Sequence, residues 1–160
     1  LVEGELGYIG SSSEVLQKIP EGAAVAREDL TTPEDAARFV RETGVHLLAP
    51  AVGNIHGMLA DAPNPRLDIA RIAAIARAVE VPLVLHGGSG VADEDFVAAI
   101  RAGVSIVHIS TELRRAWRAG IERALREHPR EVAPYKLMER ASAEVRRVTE
   151  GRLKLFNGIS

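Results

Sequence analysis

Two rhythms of apolar residues alternate along the chain. Short runs at 46–52, 81–85 and 104–109 are apolar on consecutive positions and predict buried strands. A shorter candidate strand at 2–6 alternates instead, with Val2, Gly4 and Leu6 set between Glu3 and Glu5. Between these runs the period lengthens to that of a helix. Thr32 can cap a helix whose first position takes Pro33, with Glu34 and Asp35 at the positive end of its dipole. Ala36, Ala37, Phe39 and Val40 supply its apolar face, and Gly44 ends it. Leu67, Ile69, Ile72, Ile75 and Val79 mark a second helix. A third runs over 93–102 and closes at Gly103, a fourth runs from Thr111 to about Glu127, and a last helical segment spans 134–156, weakened near Gly151. The stretch 7–30 has no clean period and reads as a long mobile loop at an active site.

Strand and helix in alternation predict an α/β fold of βαβ units on a parallel sheet. The chain has 160 residues, enough for one domain with a core, and a net charge of −2. That balance argues against nucleic acid or an anionic membrane as the main partner. No apolar run reaches membrane-spanning length. No cysteine is present, so disulfides and thiolate metal ligands are excluded, which suits a cytoplasmic protein. The chain opens on Leu1 directly within a strand-like run, which predicts further sequence upstream.

In βα folds the chemistry gathers at the carboxyl ends of the strands. Three of the five histidines, His56, His86 and His108, fall at or near such ends. Neighbouring strands lie about 4.8 Å apart, so imidazoles at their ends can converge on one zinc ion. Each histidine could equally be a hydrogen-bonded structural residue, and that is the reading for His46 and His128. The turn His86-Gly87-Gly88-Ser89-Gly90 combines close-approach glycines, a hydroxyl and a following helix, the parts of an anion cradle. It could also be only a tight turn. Ser110 and Thr111 open a helix and suit either a phosphate or an ordinary cap. Glu3 and Glu5 share a strand face and could serve a metal, a substrate or a buried cation. Arg114, Arg115 and Arg118 read as a solvated or subunit-contact face, and Trp117 as packing.

Four segments together resemble the class II, metal-dependent ketose-bisphosphate aldolases that act on fructose and tagatose bisphosphates. They are Val2-Glu3-Gly4-Glu5-Leu6-Gly7, Gly53-Asn54-Ile55-His56-Gly57, Leu85-His86-Gly87-Gly88-Ser89-Gly90 and Thr111-Glu112-Leu113-Arg114. The resemblance runs over essentially the whole chain. It implies a (β/α)8 TIM barrel, of which residues 1–160 supply strands five to eight as the C-terminal half. It implies His56 and His86 as two of three histidines on a catalytic divalent metal, usually zinc. It implies that Glu5 corresponds to a carboxylate that can hold a second or shifted cation position, monovalent or divalent. Gly57, Gly87, Gly88, Ser89, Ser110 and Thr111 fall where the family grips the phosphate of dihydroxyacetone phosphate. The implied reaction is reversible aldol cleavage, in which zinc polarises the ketone and stabilises the enediolate.

Three departures stand out. The family's first metal histidine and its acid/base aspartate match nothing in the chain, so little activity is expected from it alone. His108 stands where relatives often carry Asn, a substrate contact, which opens other ketose phosphates. The family's acidic loop pair is replaced by Gly10-Ser11-Ser12-Ser13-Glu14, leaving Glu14 as the nearest candidate for proton transfer. The competing reading is a non-catalytic half-barrel that keeps metal or phosphate binding. A half-barrel has open sheet edges and an apolar inner face, expected at Leu48, Pro50, Leu83 and Leu85. It should form homo-oligomers or associate with a missing N-terminal half.

Overall fold

The computed structural model describes residues 1–159. They fall into two compact units, Leu1–Ile109 and the residues from Ser110 onward.

The first unit carries a parallel sheet in the order β1 (Glu3–Leu6), β3 (Leu47–Pro50), β5 (Leu83–Leu85) and β6 (Val104–Val107). Between β1 and β3 lie a two-residue strand, β2 (Val15–Leu16), and helix α1 (Pro33–Thr43). Strand β4 (Met58–Leu59) and helix α2 (Ile69–Ala78) separate β3 from β5, and α3 (Asp93–Ala102) separates β5 from β6. This is the βα alternation of the predicted α/β class, with four parallel strands, half the number in a (β/α)8 barrel. Its helix signals read true. Thr32 Oγ1 accepts the Asp35 amide at 3.0 Å, Pro33 opens α1, and Gly44 closes it in the left-handed region. Asp68 caps α2 by accepting the Arg71 amide at 2.9 Å, so that helix begins two residues after Leu67.

Segment 7–30 is not featureless. Strand β2 pairs in parallel with β4, Val15 beside Met58 and Leu16 beside Leu59. Ile9 and Ala24 of this segment form a small buried cluster with Ala51. Strands of two residues carry no readable alternation, so neither was visible in the sequence.

The expected apolar inner face is corrected. Leu48, Leu83 and Leu85 are at most 2% exposed, and Pro50 is buried with them. They belong to the core, together with Ala36, Ile72, Ile75, Phe96 and Ala99 from the three helices. The opposite sheet face is polar where β1 begins. A Cβ on Gly4 would lie 2.6 Å from the Phe39 ring of α1, so Gly4 faces that helix. Glu3 and Glu5, one residue to either side, therefore point away from α1.

The second unit is a pair of helices, α4 (Thr111–Glu127) and α5 (Pro134–Asn157). They touch at backbone distance, since a Cβ on Gly120 would meet Ala141 Cα at 2.6 Å. Arg152 clamps Glu112 through two bonds of 2.8 Å. Helix α5 runs unbroken through Gly151, because 24 residues of packed helix outweigh a local cost of about 1 kcal/mol. Arg114, Arg115 and Arg118 are exposed as expected, and Trp117 is 42% exposed. Among the described residues no helix is long and apolar enough to cross a membrane.

Candidate metal centre

Three histidines that follow the sheet strands β3, β5 and β6 gather near two carboxylates that lie within β1. The rings of His56 and His86 are 5.7 Å apart, and those of His86 and His108 are 4.5 Å apart. His86 Nε2 lies 2.6 Å from Glu3 Oε1, and His86 Nδ1 lies 3.6 Å from Glu5 Oε1. Glu3, His86 and His108 each bring one potential ligand atom within 4.8 Å of the others. Two imidazoles and a carboxylate are donors that suit zinc or a similar divalent ion. The sequence had paired His56, His86 and Glu5. Among the described residues the group of three ligand atoms lying within 4.8 Å of one another is Glu3, His86 and His108, and it includes neither His56 nor Glu5.

Each side chain is held from behind. His56 Nδ1 lies 2.7 Å from the carbonyl oxygen of Gly10, and its amide donates to Ile9 O at 2.8 Å. A carbonyl can only accept, so Nδ1 carries the proton and Nε2 keeps its lone pair. Behind His86 stands Asn54, 1% exposed. Its Nδ2 donates to His86 O at 3.0 Å, and its Oδ1 accepts the Val52 amide at 2.8 Å. Asn64, also buried, ties two loops together. Its Nδ2 donates to Gly57 O and to Ser89 O, both at 3.0 Å, and its Oδ1 accepts the Leu59 amide at 2.9 Å. Asn54 and Asn64 were not singled out from the sequence. The available signal was an amide side chain in an otherwise apolar or glycine-rich stretch, where burial demands partners.

The glycine-rich turn packs directly on the His56 loop. Gly87 has φ +61°, and a Cβ there would lie 2.1 Å from Ile55 O. Gly57 has φ +93°, and its Cβ would lie 2.6 Å from Glu14 O. Both loops therefore need glycine for conformation and for clearance. Gly88 donates its N–H to His108 O at 3.2 Å, so that donor is engaged by the segment after β6. Ser89 is 2% exposed. The Glu14 side chain is exposed, while its carbonyl accepts the Met58 amide at 3.0 Å. Ser110 and Thr111 lie in the second unit, where Ser110 precedes α4 without a capping side-chain bond and Thr111 is buried.

Of the remaining histidines, His46 makes a structural side-chain bond and His128 is held through its backbone. His46 Nδ1 accepts the Val2 amide at 2.9 Å, and His128 ends α4 with its N–H on Ala124 O. Elsewhere in the first unit, Arg66 grips the buried Asp95 through bonds of 2.7 and 2.6 Å, and Asp95 also accepts the Leu67 amide. The guanidinium holds the Asp95 carboxyl below the usual carboxylate range against the opposing pull of burial.

Known proteins resemble this chain over nearly its whole length. The family profile "Fructose-bisphosphate aldolase class-II" matches residues 1–159. The YdjI aldolase of Escherichia coli K12 is 32% identical at a TM-score of 0.71, over 96% of this chain and 48% of that one. A putative fructose-1,6-biphosphate aldolase from Coccidioides immitis is 30% identical at a TM-score of 0.72, over 97% and 51%. A fructose-bisphosphate aldolase from Campylobacter jejuni shares the fold at 20% identity and a TM-score of 0.73, over 98% and 51%. The chain thus spans about half the length of these relatives. It belongs to the class II fructose-bisphosphate aldolase family, with the α/β architecture of that family's barrel.

Proposed function

We propose that this chain carries the metal-binding part of a class II aldolase, which reversibly cleaves fructose 1,6-bisphosphate or a related ketose phosphate to dihydroxyacetone phosphate and an aldehyde. The observation that carries the reading is the approach of His86 Nδ1 to Glu5 Oε1 at 3.6 Å, with the His56 ring 5.7 Å from that of His86. Two ligands at about 2.0–2.2 Å from a tetrahedral zinc are separated by roughly 3.3–3.5 Å. The Glu5–His86 spacing fits such a pair, and His56, its ring 5.7 Å from that of His86, is assigned as the third ligand. A divalent ion there supplies a Lewis acid for the ketone oxygen of a substrate.

The chain's own residues then have separable tasks. His56, His86 and Glu5 hold the cation. Gly57, Gly87 and Ser89, on loops joined by Asn64, contact a substrate phosphate, with Gly88 fixing the turn through His108 O. Ser110 and Thr111 offer a phosphate the N-terminus of α4. Glu14, on an exposed stretch, carries a proton to or from substrate. The aldehyde-lyase activity, the zinc and a cytoplasmic site of action in sugar metabolism all belong to this reading. His108 beside His86 favours a variant in which the sugar is another ketose phosphate, because an imidazole there changes the polar contacts available to substrate. The motif-matched residues include no acid/base aspartate, so the 160-residue chain alone is assigned slow turnover.

Zinc stoichiometry and affinity, measured after reconstitution on the wild type, His56→Ala and His86→Ala, test the assignment. Loss in both variants is expected. Unchanged binding in both removes the metal centre, and with it the aldolase reading. A coupled aldol-cleavage assay on the same chain gives the second arm. Turnover near the roughly 10 per second typical of enzymes would show that the essential groups are assigned wrongly.

A further inference from the structure

We infer that Glu3 is a positioning residue, holding His86 in the one tautomer and orientation that presents Nδ1 to the cation. The inference rests on the metal reading above and adds to it a residue that neither the sequence motifs nor the proposed ligand set assigns.

The distances separate two roles for the two carboxylates of β1. His86 Nε2 to Glu3 Oε1 is 2.6 Å. That is a short charge-assisted hydrogen bond, and it is closer than the roughly 3.3 Å between two ligands of one tetrahedral ion. His86 Nδ1 to Glu5 Oε1 is 3.6 Å, too long for a hydrogen bond and suited to two ligands with a cation between them. Glu3 therefore accepts a hydrogen bond from Nε2–H, which leaves the lone pair on Nδ1. A histidine ligand commonly donates its other ring N–H to a carboxylate, which fixes the ring and raises its basicity. His56 shows the same logic with a different partner, its Nδ1–H going to Gly10 O.

The supports of Glu3 and His86 suit the task. Glu3 lies opposite Leu47 in the β1–β3 register, and Leu47 and His46 both donate their amides to Val2 O. The His86 backbone is held by buried Asn54. Only ring rotation and tautomer remain open at His86, and Glu3 closes both. The side chains of Glu3 and His86 are 25% and 15% exposed, so water competes weakly for this bond. His108 is the rival third ligand, since it lies in the same cluster as Glu3 and His86. Such a donor set would have to break the 2.6 Å bond.

The test uses the full chain and zinc alone. Long-range proton–nitrogen NMR of the metal-free protein reads the His86 tautomer, and calorimetry reads zinc affinity, for wild type, Glu3→Ala, Glu3→Gln and His108→Ala. Wild type should show the Nε2–H tautomer. Glu3→Ala should mix the tautomers and weaken zinc by about 10- to 100-fold. Glu3→Gln, which keeps an acceptor oxygen, should retain the tautomer and lose less than Glu3→Ala, and His108→Ala should leave affinity within about twofold. Glu3→Ala with wild-type affinity and tautomer overturns this inference alone. So does Glu3→Gln falling as far as Glu3→Ala with its tautomer intact, which makes Glu3 a direct ligand. A tenfold loss in His108→Ala likewise overturns it in favour of the rival donor set. A wild-type chain that binds no zinc overturns both this inference and the metal reading.

Discussion

His56 Nδ1 sits 2.7 Å from the carbonyl oxygen of Gly10, so one imidazole joins the candidate metal centre to the segment 7–30. The same ring nitrogen that fixes the tautomer also anchors the loop. His56→Ala should therefore do two things at once. Zinc affinity should fall at least tenfold, about the size expected for loss of a ligand or its support. Hydrogen exchange should also speed up at the Met58 and Ala60 amides, which donate to Glu14 O and Leu16 O. Unchanged exchange at both amides would mean that the ring does not anchor the loop.

The same glycine-to-alanine change should act in opposite directions at two positions. At Gly87, φ is +61° and the new Cβ would lie 2.1 Å from Ile55 O, so Gly87→Ala should destabilise the chain by about 2–3 kcal/mol. At Gly151, inside α5, nothing lies within 4 Å of an added Cβ. Gly151→Ala should stabilise by about 0.5–1 kcal/mol. Urea unfolding of both variants measures the pair, and equal shifts of the same sign would refute the backbone argument.

Acid should weaken the Arg66–Asp95 lock. The hydrogen bond from Arg66 lowers the Asp95 carboxyl pKa, helped by the Leu67 amide and opposed by burial. A group lowered on folding contributes stability above its unfolded pKa, about 3.9. That contribution disappears as pH falls through the lower folded value. Asp95→Asn should cost about 1–3 kcal/mol at neutral pH, because a neutral amide replaces an acceptor of three bonds. The gap between wild type and variant should narrow below about pH 4. A gap that stays constant from pH 7 to pH 3 would count against the charge-based account.

Strands β1 and β6 each have one partner in the sheet order, which leaves a row of backbone groups at either edge of the first unit. Association through those edges, between copies or with a complementary βα segment, is the expected outcome. It should be driven by strand pairing, since Leu48, Leu83 and Leu85 are already buried. Sedimentation over a concentration series checks this. A monomer at high micromolar concentration, with protected edge amides, would show that the edges are satisfied in another way.

Much of this protein was determined locally. Thr32-Pro33 and Gly44 bound α1 because capping and left-handed termination are short-range chemistry. The Asp93–Ala102 and Thr111–Glu127 helices begin and end where their sequence signals lie, and the parallel α/β class follows from the order of the runs. The strand-end positions of His56 and His86 and the family motifs were equally legible. Other features needed the tertiary structure. Strands β2 and β4 exist only because each supplies the other's hydrogen bonds. Whether Leu48 faces core or solvent depended on how the helices cover the sheet. Glu3 and Glu5 look alike in sequence, since period two puts both on one face. Their separate relations to His86, 2.6 Å at Nε2 and 3.6 Å at Nδ1, were decided by how the strands and the turn after β5 bring those side chains together. Hydrogen-bond and ligand distances differ by less than 1 Å, and a sequence of residue types carries no information at that scale.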